Sequence, residues 1–285
     1  MILNASGCLD ALEAPEVARA LDVFVTKTVT PRPREGTRPV RIAETEAGML
    51  NSIGLENPGI DGLLEDKLPR LAELGVPLWV SVGGFAANDY ARLCAALDEC
   101  QEVTAIELNL SCPNVEEAPE SAAELVAAAR PQTRKPLFAK LSPAATDLPE
   151  TARAVQNAGA DGLSLVNTIR GLVLDDKTLQ PRLGHELGGY SGPALKPIAL
   201  AAVYQCYRAT GLPIVAMGGI ATGRDALDFL AAGASSIALG TVLFADPEAP
   251  GRVRRELADE VAARGLSGAE DATGLAHGVR PASVA

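Results

Sequence analysis

The chain has 285 residues, close to the roughly 250 typical of one (β/α)8 barrel, so a single large domain is the first expectation. Hydrophobic residues make up 47% and charged residues 21%, the balance of a globular chain rather than a disordered or fibrous one. The 36 acidic against 25 basic residues give a formal net charge of −11, which repels phosphate backbones and anionic surfaces and predicts neither nucleic acid nor membrane as a partner. No apolar run reaches the ~18 residues of a membrane span, and Met1 leads straight into ILNASG without a basic or signal-type stretch, so a cytoplasmic location is expected. Five cysteines (Cys8, Cys94, Cys100, Cys112 and Cys206) include no C-x-x-C pair. Neither a disulfide framework nor a complete iron–sulfur or zinc site is indicated, and any cluster belongs to a partner.

Short β-rich runs alternate with longer Ala/Leu/Glu/Arg segments. In chain order the runs are 2–6, 21–26, 77–82, 103–110, 136–141, 162–168, 213–219 and 235–241. Helical patterns are clearest at 85–100, 119–130, 147–158, 194–210 and 223–232, with 246–264 closing the series. Eight strands alternating with helices predict a single-domain α/β fold, the (β/α)8 or TIM barrel, because parallel strands need crossovers and the crossovers cover the outside. A doubly wound open sheet is the alternative, disfavoured by the lack of G-x-G-x-x-G after the first strand. Two segments break the alternation: 28–60, rich in Pro, Gly and Arg, and 168–193, which ends in GGYSGP. Both follow strands, which places them at the catalytic face of a barrel as lids or binding loops. From Gly265 to Ala285 the periodicity is weak and fraying is expected.

In a barrel the residues ending each strand converge on one face. Only six lysines occur in the chain, yet Lys27 and Lys140 each end an apolar strand, with Ser6, Ser81, Asn109 and Asn167 at other strand ends. AMGGIATG (216–223) and ALGT (238–241) put glycine amides at successive strand ends, each before a helix, the arrangement of a phosphate site. Gly192 in SGP, just before another helix, offers a further amide. Cys112 in NLSCPN is the one cysteine in a polar strand-end turn and is the candidate general base. A hydrolytic Cys-His pair is a weaker reading, since only His185 and His277 are available and both fall in irregular segments. Asn51, Asn109 and Asn167-Thr168 carry donors and acceptors suited to a planar ligand whose edge alternates C=O and N–H.

These residues resemble a known family, the class 1 dihydroorotate dehydrogenases. The likeness runs through NASG (4–7), FVTKTVT (24–30), ETEAGMLNSIGLENPG (44–59), NLSCPN (109–114), KLSP (140–143), LVNT (165–168), GGYSGPALKPIAL (188–200) and MGGIATGRDALDFLAAGA (217–234). The cysteine of NLSCPN marks class 1, because class 2 members place serine there. MLNSIGL and SGPALKPIAL look most like the B-type subgroup, whose FMN-containing catalytic chain pairs with a subunit carrying FAD and a 2Fe–2S cluster. The resemblance implies FMN in a (β/α)8 barrel and oxidation of (S)-dihydroorotate to orotate in pyrimidine (UMP) biosynthesis. In that scheme Cys112 takes the C5 proton while hydride passes from C6 to flavin N5, and Lys140 stabilises the charge developing at the flavin N1–O2 edge. Ala5, Ser6, Lys27, Thr28, Asn109 and Val166 would adjoin the flavin, with Gly192, Gly218, Gly219, Gly240 and Thr241 holding its phosphate. Lys27 and the amides of Ile53, Gly54 and Leu55 would receive the substrate carboxylate, and Asn51, Asn109, Asn167 and Thr168 the pyrimidine edge. A homodimer, or a heterotetramer with the FAD/2Fe–2S subunit, is implied as the assembly, and no protein-bound metal in this chain.

Several positions depart from the family pattern. VEEAPESAAEL follows SCPN almost at once, which shortens the lid carrying Cys112; Ala144 and Ser81 stand where members often have asparagine; and the hairpin that commonly plugs the barrel bottom is reduced or absent. Rival readings are an FMN enzyme of another reduced pyrimidine, similar to dihydropyrimidine dehydrogenase, and a flavin-free phosphate-binding lyase or isomerase. A flavin-dependent tRNA-modifying barrel is disfavoured by the net charge of −11.

Overall fold

The computed structural model describes residues 1–110 and 121–278. Eight strands lie in one parallel sheet: β1 (Ile2–Asn4), β2 (Phe24–Val25), β5 (Leu78–Val82), β6 (Val103–Asn109), β7 (Leu137–Leu141), β8 (Gly162–Leu165), β11 (Ile214–Met217) and β12 (Ser236–Leu239). They fall inside the eight runs read from the sequence. The sheet order β1-β12-β11-β8-β7-β6-β5-β2 brings the first two strands to opposite edges, and a parallel bridge between Leu3 and Val23 joins those edges. Asn4 completes the seam. Its fully buried carboxamide donates from Nδ2 to the Val25 carbonyl at 2.8 Å and accepts the Val25 N–H at 2.8 Å, standing in for a peptide group of the missing ladder. The architecture is therefore the expected (β/α)8 barrel.

Helices cover the outside: α1 (Pro15–Arg19), α2 (Gly59–Gly62) and α3 (Leu68–Ala72) joined by a π turn, α4 (Ala87–Asp98), α5 (Ala122–Ala129), α6 (Leu148–Asn157), α7 (Lys196–Thr210), α8 (Gly223–Ala231), α9 (Val242–Ala245) and α10 (Ala249–Ala262). Local chemistry fixes their starts. Ser121 and Thr222 form capping boxes with Glu124 and Asp225, and Asp147 caps α6 through the Glu150 amide. The residues between strands and helices form the larger apolar core. A second cluster fills the barrel lumen, where Leu3, Val25, Trp79, Val215 and Met217 meet and Trp79 lies 4.3 Å from Phe138 between ring centroids. Gly162, opposite Phe138 in the ladder, leaves room for that ring: a Cβ there would run into it.

The two long segments are more ordered than lids. β3 (Ile42–Thr45), β4 (Gly48–Asn51), β9 (Ile169–Leu172) and β10 (Leu187–Ser191) form an antiparallel sheet in the order β3-β4-β10-β9, so the two excursions pair with each other. Tyr190 Oη donates to the Ala47 carbonyl at 3.0 Å across that pairing, and Ala43, Leu50 and Leu183 make a small core of their own. Of the stretch from Gly265 where fraying is expected, residues 279–285 lie outside the described residues and 265–278 pack on the barrel. Ala272 is buried, and His277 stacks on Tyr204 with centroids 4.1 Å apart and shares a 2.9 Å hydrogen bond with the Ala232 carbonyl. Aromatic contact and burial outweigh the weak periodicity there.

Candidate active site

At the C-terminal ends of the barrel strands, beside the antiparallel sheet, is a cavity of about 330 Å³, within the size range of small-molecule sites. The residues assigned from the sequence to flavin, phosphate and substrate all line it where the structure describes them; the strand-end Ser81 lies beneath it, and Cys112, the predicted base, lies outside the described residues.

The parallel register aligns side chains by strand pairing. Ser81 faces Glu107, Asn109 faces Lys140, and Lys140 faces Ser164 on successive strands. Ser81, Glu107, Lys140 and Ser164 are all at least 95% buried, so a polar layer caps the apolar lumen and forms the floor under the cavity. Such a layer survives burial only if its charges are matched. Lys140 Nζ lies 3.5 Å from Glu107 Oε1 and donates to Ser6 Oγ at 2.9 Å, which leaves the Ser6 hydroxyl hydrogen for a further acceptor. Glu107 Oε1 also accepts Ser81 Oγ at 3.0 Å; Ser81 Oγ lies 3.0 Å from Thr28 Oγ1; Thr28 accepts Asn109 Nδ2 at 3.1 Å; and Asn109 Oδ1 accepts Asn167 Nδ2 at 3.1 Å. The Thr168 amide donates to Asn167 Oδ1 at 2.9 Å, and Tyr90 Oη holds the Asn109 carbonyl at 2.8 Å. Asn51, on β4, reaches Gly189 O at 3.2 Å from its Nδ2 and so is set by the pairing of the two long excursions.

At the far side of the cavity Gly192, Gly218-Gly219 and Gly240-Thr241 come together. Gly218 and Gly219 have φ of +121° and +77°, and a Cβ on Gly219 would meet the Lys196 amide at 2.9 Å and the Gly192 carbonyl at 3.0 Å. Only glycine lets these turns close on one another. On the near side, Gly54 (φ 72°) and Leu55 (φ 56°) are both left-handed. A left-handed leucine costs about 1 kcal/mol and is held in place by surrounding structure: Thr37 donates its N–H to the Ile53 carbonyl at 2.9 Å, and Arg34 Nε donates to the Gly54 carbonyl at 3.2 Å. Twisted main chain of this kind turns its amides toward an anion. The donor set therefore suits a phosphorylated planar cofactor: an amide cradle at one end, buried ammonium and hydroxyl donors on the floor, and Ala5, Val166 and Met217 as apolar walls.

Sequence reading missed Glu107 and the linking role of Ser81. The signal was present, since VTAIELNL carries one charge in an otherwise nearly apolar strand, but an acidic residue in an alternating strand reads as solvent-facing. Cys8 also lines the cavity; burial pushes its thiol up from the usual range, against the opposing pull of Lys140 and Lys27, so it stays a weakly reactive thiol. Phe244 and Ile42, both largely exposed, form an apolar rim at the mouth. Among the described residues no group of three or more His, Cys, Asp or Glu is arranged to hold a metal, and no helix is long and apolar enough to cross a membrane.

Fold and site together define a (β/α)8 barrel with a buried-charge, cofactor-sized cavity at the strand ends. Within that class the chain belongs to the dihydroorotate dehydrogenase family, whose model, described as Dihydroorotate dehydrogenase, matches residues 1–261. It is 44% identical, over 97% of its length and 93% of the relative's, to a protein of Desulforudis audaxviator named as the catalytic subunit of dihydroorotate dehydrogenase B (NAD(+)). A Latilactobacillus sakei protein of the same name is 43% identical over 92% of this chain and 89% of its own. A Solibacter usitatus protein, 43% identical over 90% of this chain and 86% of its own, carries a type A (fumarate) name instead. The ligand-free DHODH structure from Eimeria tenella superposes with a TM-score of 0.82 at 25% identity, covering 96% of this chain and 88% of that one.

Proposed function

We propose that this chain is an FMN-dependent dihydroorotate dehydrogenase, the catalytic subunit of a B-type enzyme, oxidising (S)-dihydroorotate to orotate. The observation that carries the reading is the convergence, on one cavity, of the glycine cradle, the buried Lys140 and the Asn51, Asn109 and Asn167 carboxamides. FMN, when bound, supplies the acceptor for the hydride leaving C6 of the substrate. Gly192, Gly218, Gly219, Gly240 and Thr241 hold its phosphate, and Ala5, Ser6, Thr28 and Val166 bound its ring system. Lys140, fixed between Ser6 and Glu107, would offer a positive charge that needs no reorganisation as negative charge develops on a bound flavin. Lys27 and the amides of Ile53, Gly54 and Leu55 bind the substrate carboxylate, while the three asparagines and Thr168 orient the pyrimidine edge. Cys112 removes the C5 proton, a task that needs only a thiolate within reach of that carbon.

The carboxylate subsite favours dihydroorotate over an uncharged reduced pyrimidine. The B type is favoured by the NAD(+) names of the Desulforudis and Latilactobacillus relatives and by MLNSIGL and SGPALKPIAL in this sequence. It brings with it a partner subunit carrying FAD and a 2Fe–2S cluster, a homodimeric core and a cytoplasmic setting. Steady-state assay of the purified chain with dihydroorotate and fumarate tests the assignment. Negligible fumarate turnover, with NAD reduction appearing only when the partner subunit is added, is expected; rapid fumarate turnover by the chain alone would assign it to type A.

A further inference from the structure

The hydrogen bonds of the polar floor have a fixed direction, anchored by Glu107 at one end and by the Thr168 N–H at the other. Glu107 is 1% exposed, beside the Lys140 ammonium. A carboxylate held there accepts hydrogen bonds and donates none. Ser81 Oγ must then donate to Glu107, so Ser81 accepts from Thr28; Thr28, having spent its hydrogen on Ser81, accepts from the NH2 of Asn109. That leaves the Asn109 oxygen to accept from the NH2 of Asn167, and the Asn167 oxygen to accept the Thr168 amide. Every donor in the series Asn167, Asn109, Thr28, Ser81 points towards Glu107.

We propose that Glu107 is a positioning residue for substrate as well as the charge partner of Lys140. Through Ser81 and Thr28 it sets which way the Asn109 carboxamide is turned, in the sense that matches Asn167, which the Thr168 N–H orients from the other end, and so the order of donors and acceptors offered to the pyrimidine edge. Neither Glu107 nor Ser81 lines the cavity, so the effect reaches the ligand only through the relay. A carboxamide turned about its χ2 axis would set a donor against a donor, and a hydrogen bond lost in that way from a buried site weakens binding by about tenfold or more.

The inference rests on the proposed orotate site, and two variants separate it from that reading. Ser81→Ala cuts the relay while leaving the Glu107–Lys140 pair; Glu107→Gln keeps the side-chain shape but removes the charge and makes the polarity ambiguous. Orotate titration of the FMN-loaded proteins, followed by flavin absorbance, is expected to show about a tenfold loss of affinity in both. The flavin midpoint potential, measured without orotate, should move to more positive values in Glu107→Gln, where the negative charge beside Lys140 is lost, and stay in place in Ser81→Ala. Unchanged orotate affinity in Ser81→Ala, a small change that leaves the ion pair standing, would overturn the relay. Equal shifts of potential in the two variants would also overturn it, because that pattern means a general loosening of the floor. If the unchanged chain takes up FMN but binds no orotate, the substrate assignment itself fails and the relay falls with it.

Discussion

At the residue scale, the site separates groups that line the cavity, such as Lys140 and Asn109, from buried groups that hold them, such as Glu107 and Ser81. Cys112→Ser is expected to retain FMN and lose flavin reduction near neutral pH, since a hydroxyl gives up its proton far less readily than a thiol and supplies almost none of the deprotonated base; anaerobic stopped-flow mixing with dihydroorotate measures it, and a wild-type rate would remove Cys112 from the mechanism. Lys140→Ala strands the Glu107 carboxylate in the barrel without its cation. Breaking a buried pair from one side costs about 3 kcal/mol, so the variant should lose FMN and also unfold at lower urea as the apo chain. Equal urea midpoints for the two apo proteins would show that Lys140 is not balancing a buried charge. Lys140 was legible in the sequence because a lysine at the end of an apolar strand is unusual. Glu107 was not, because strand alternation alone does not say whether a polar residue faces solvent or the lumen of a closed barrel.

At the element scale, the barrel strands were readable because both of their faces are buried, which leaves near-continuous apolar runs. The β3-β4-β10-β9 sheet was not. Its strands are short and half-exposed, interrupted by Gly48, Gly171, Gly188 and Gly189, and the pairing that joins its two halves, β4 with β10, links segments more than a hundred residues apart in the chain. The placement of Asn51 depends on that sheet, so its position in the site could be anticipated only by resemblance. A tertiary ion cluster ties α7 to α8: Lys196 Nζ is 2.5 Å from Asp225 Oδ1 and 2.8 Å from Asp228 Oδ2. Burial works against ionisation of both aspartates, but the Lys196 hydrogen bonds, together with donors from Ala221, Thr222 and Arg224, outweigh it and hold both carboxyls below their ordinary range. Their folded values lie under the unfolded ones, so their stabilisation is complete above the ordinary carboxylate range near 4 and is lost as pH falls through the folded values. Lys196→Met should therefore cost about 1 kcal/mol at pH 7 and much less at pH 2. Urea unfolding at the two pH values measures the difference, and an equal cost at both would mean that Lys196 acts by packing alone.

At the scale of the whole molecule, closure of the barrel and assembly of the site are one event. The same strands that carry Trp79, Phe138 and Met217 into the lumen carry Ser81, Lys140 and the glycine turns to its rim. Length and alternation were enough to expect the barrel, and its geometry then brings together strand ends that are far apart in sequence. In the proposed function this cavity binds FMN and passes the electrons of dihydroorotate to it. An anaerobic visible spectrum of the purified, FMN-reconstituted chain, recorded before and after adding dihydroorotate, reads both properties at once. A yellow protein whose flavin band bleaches on addition is expected. A protein that takes up no FMN, or whose flavin stays oxidised with dihydroorotate in excess, would contradict the proposed function.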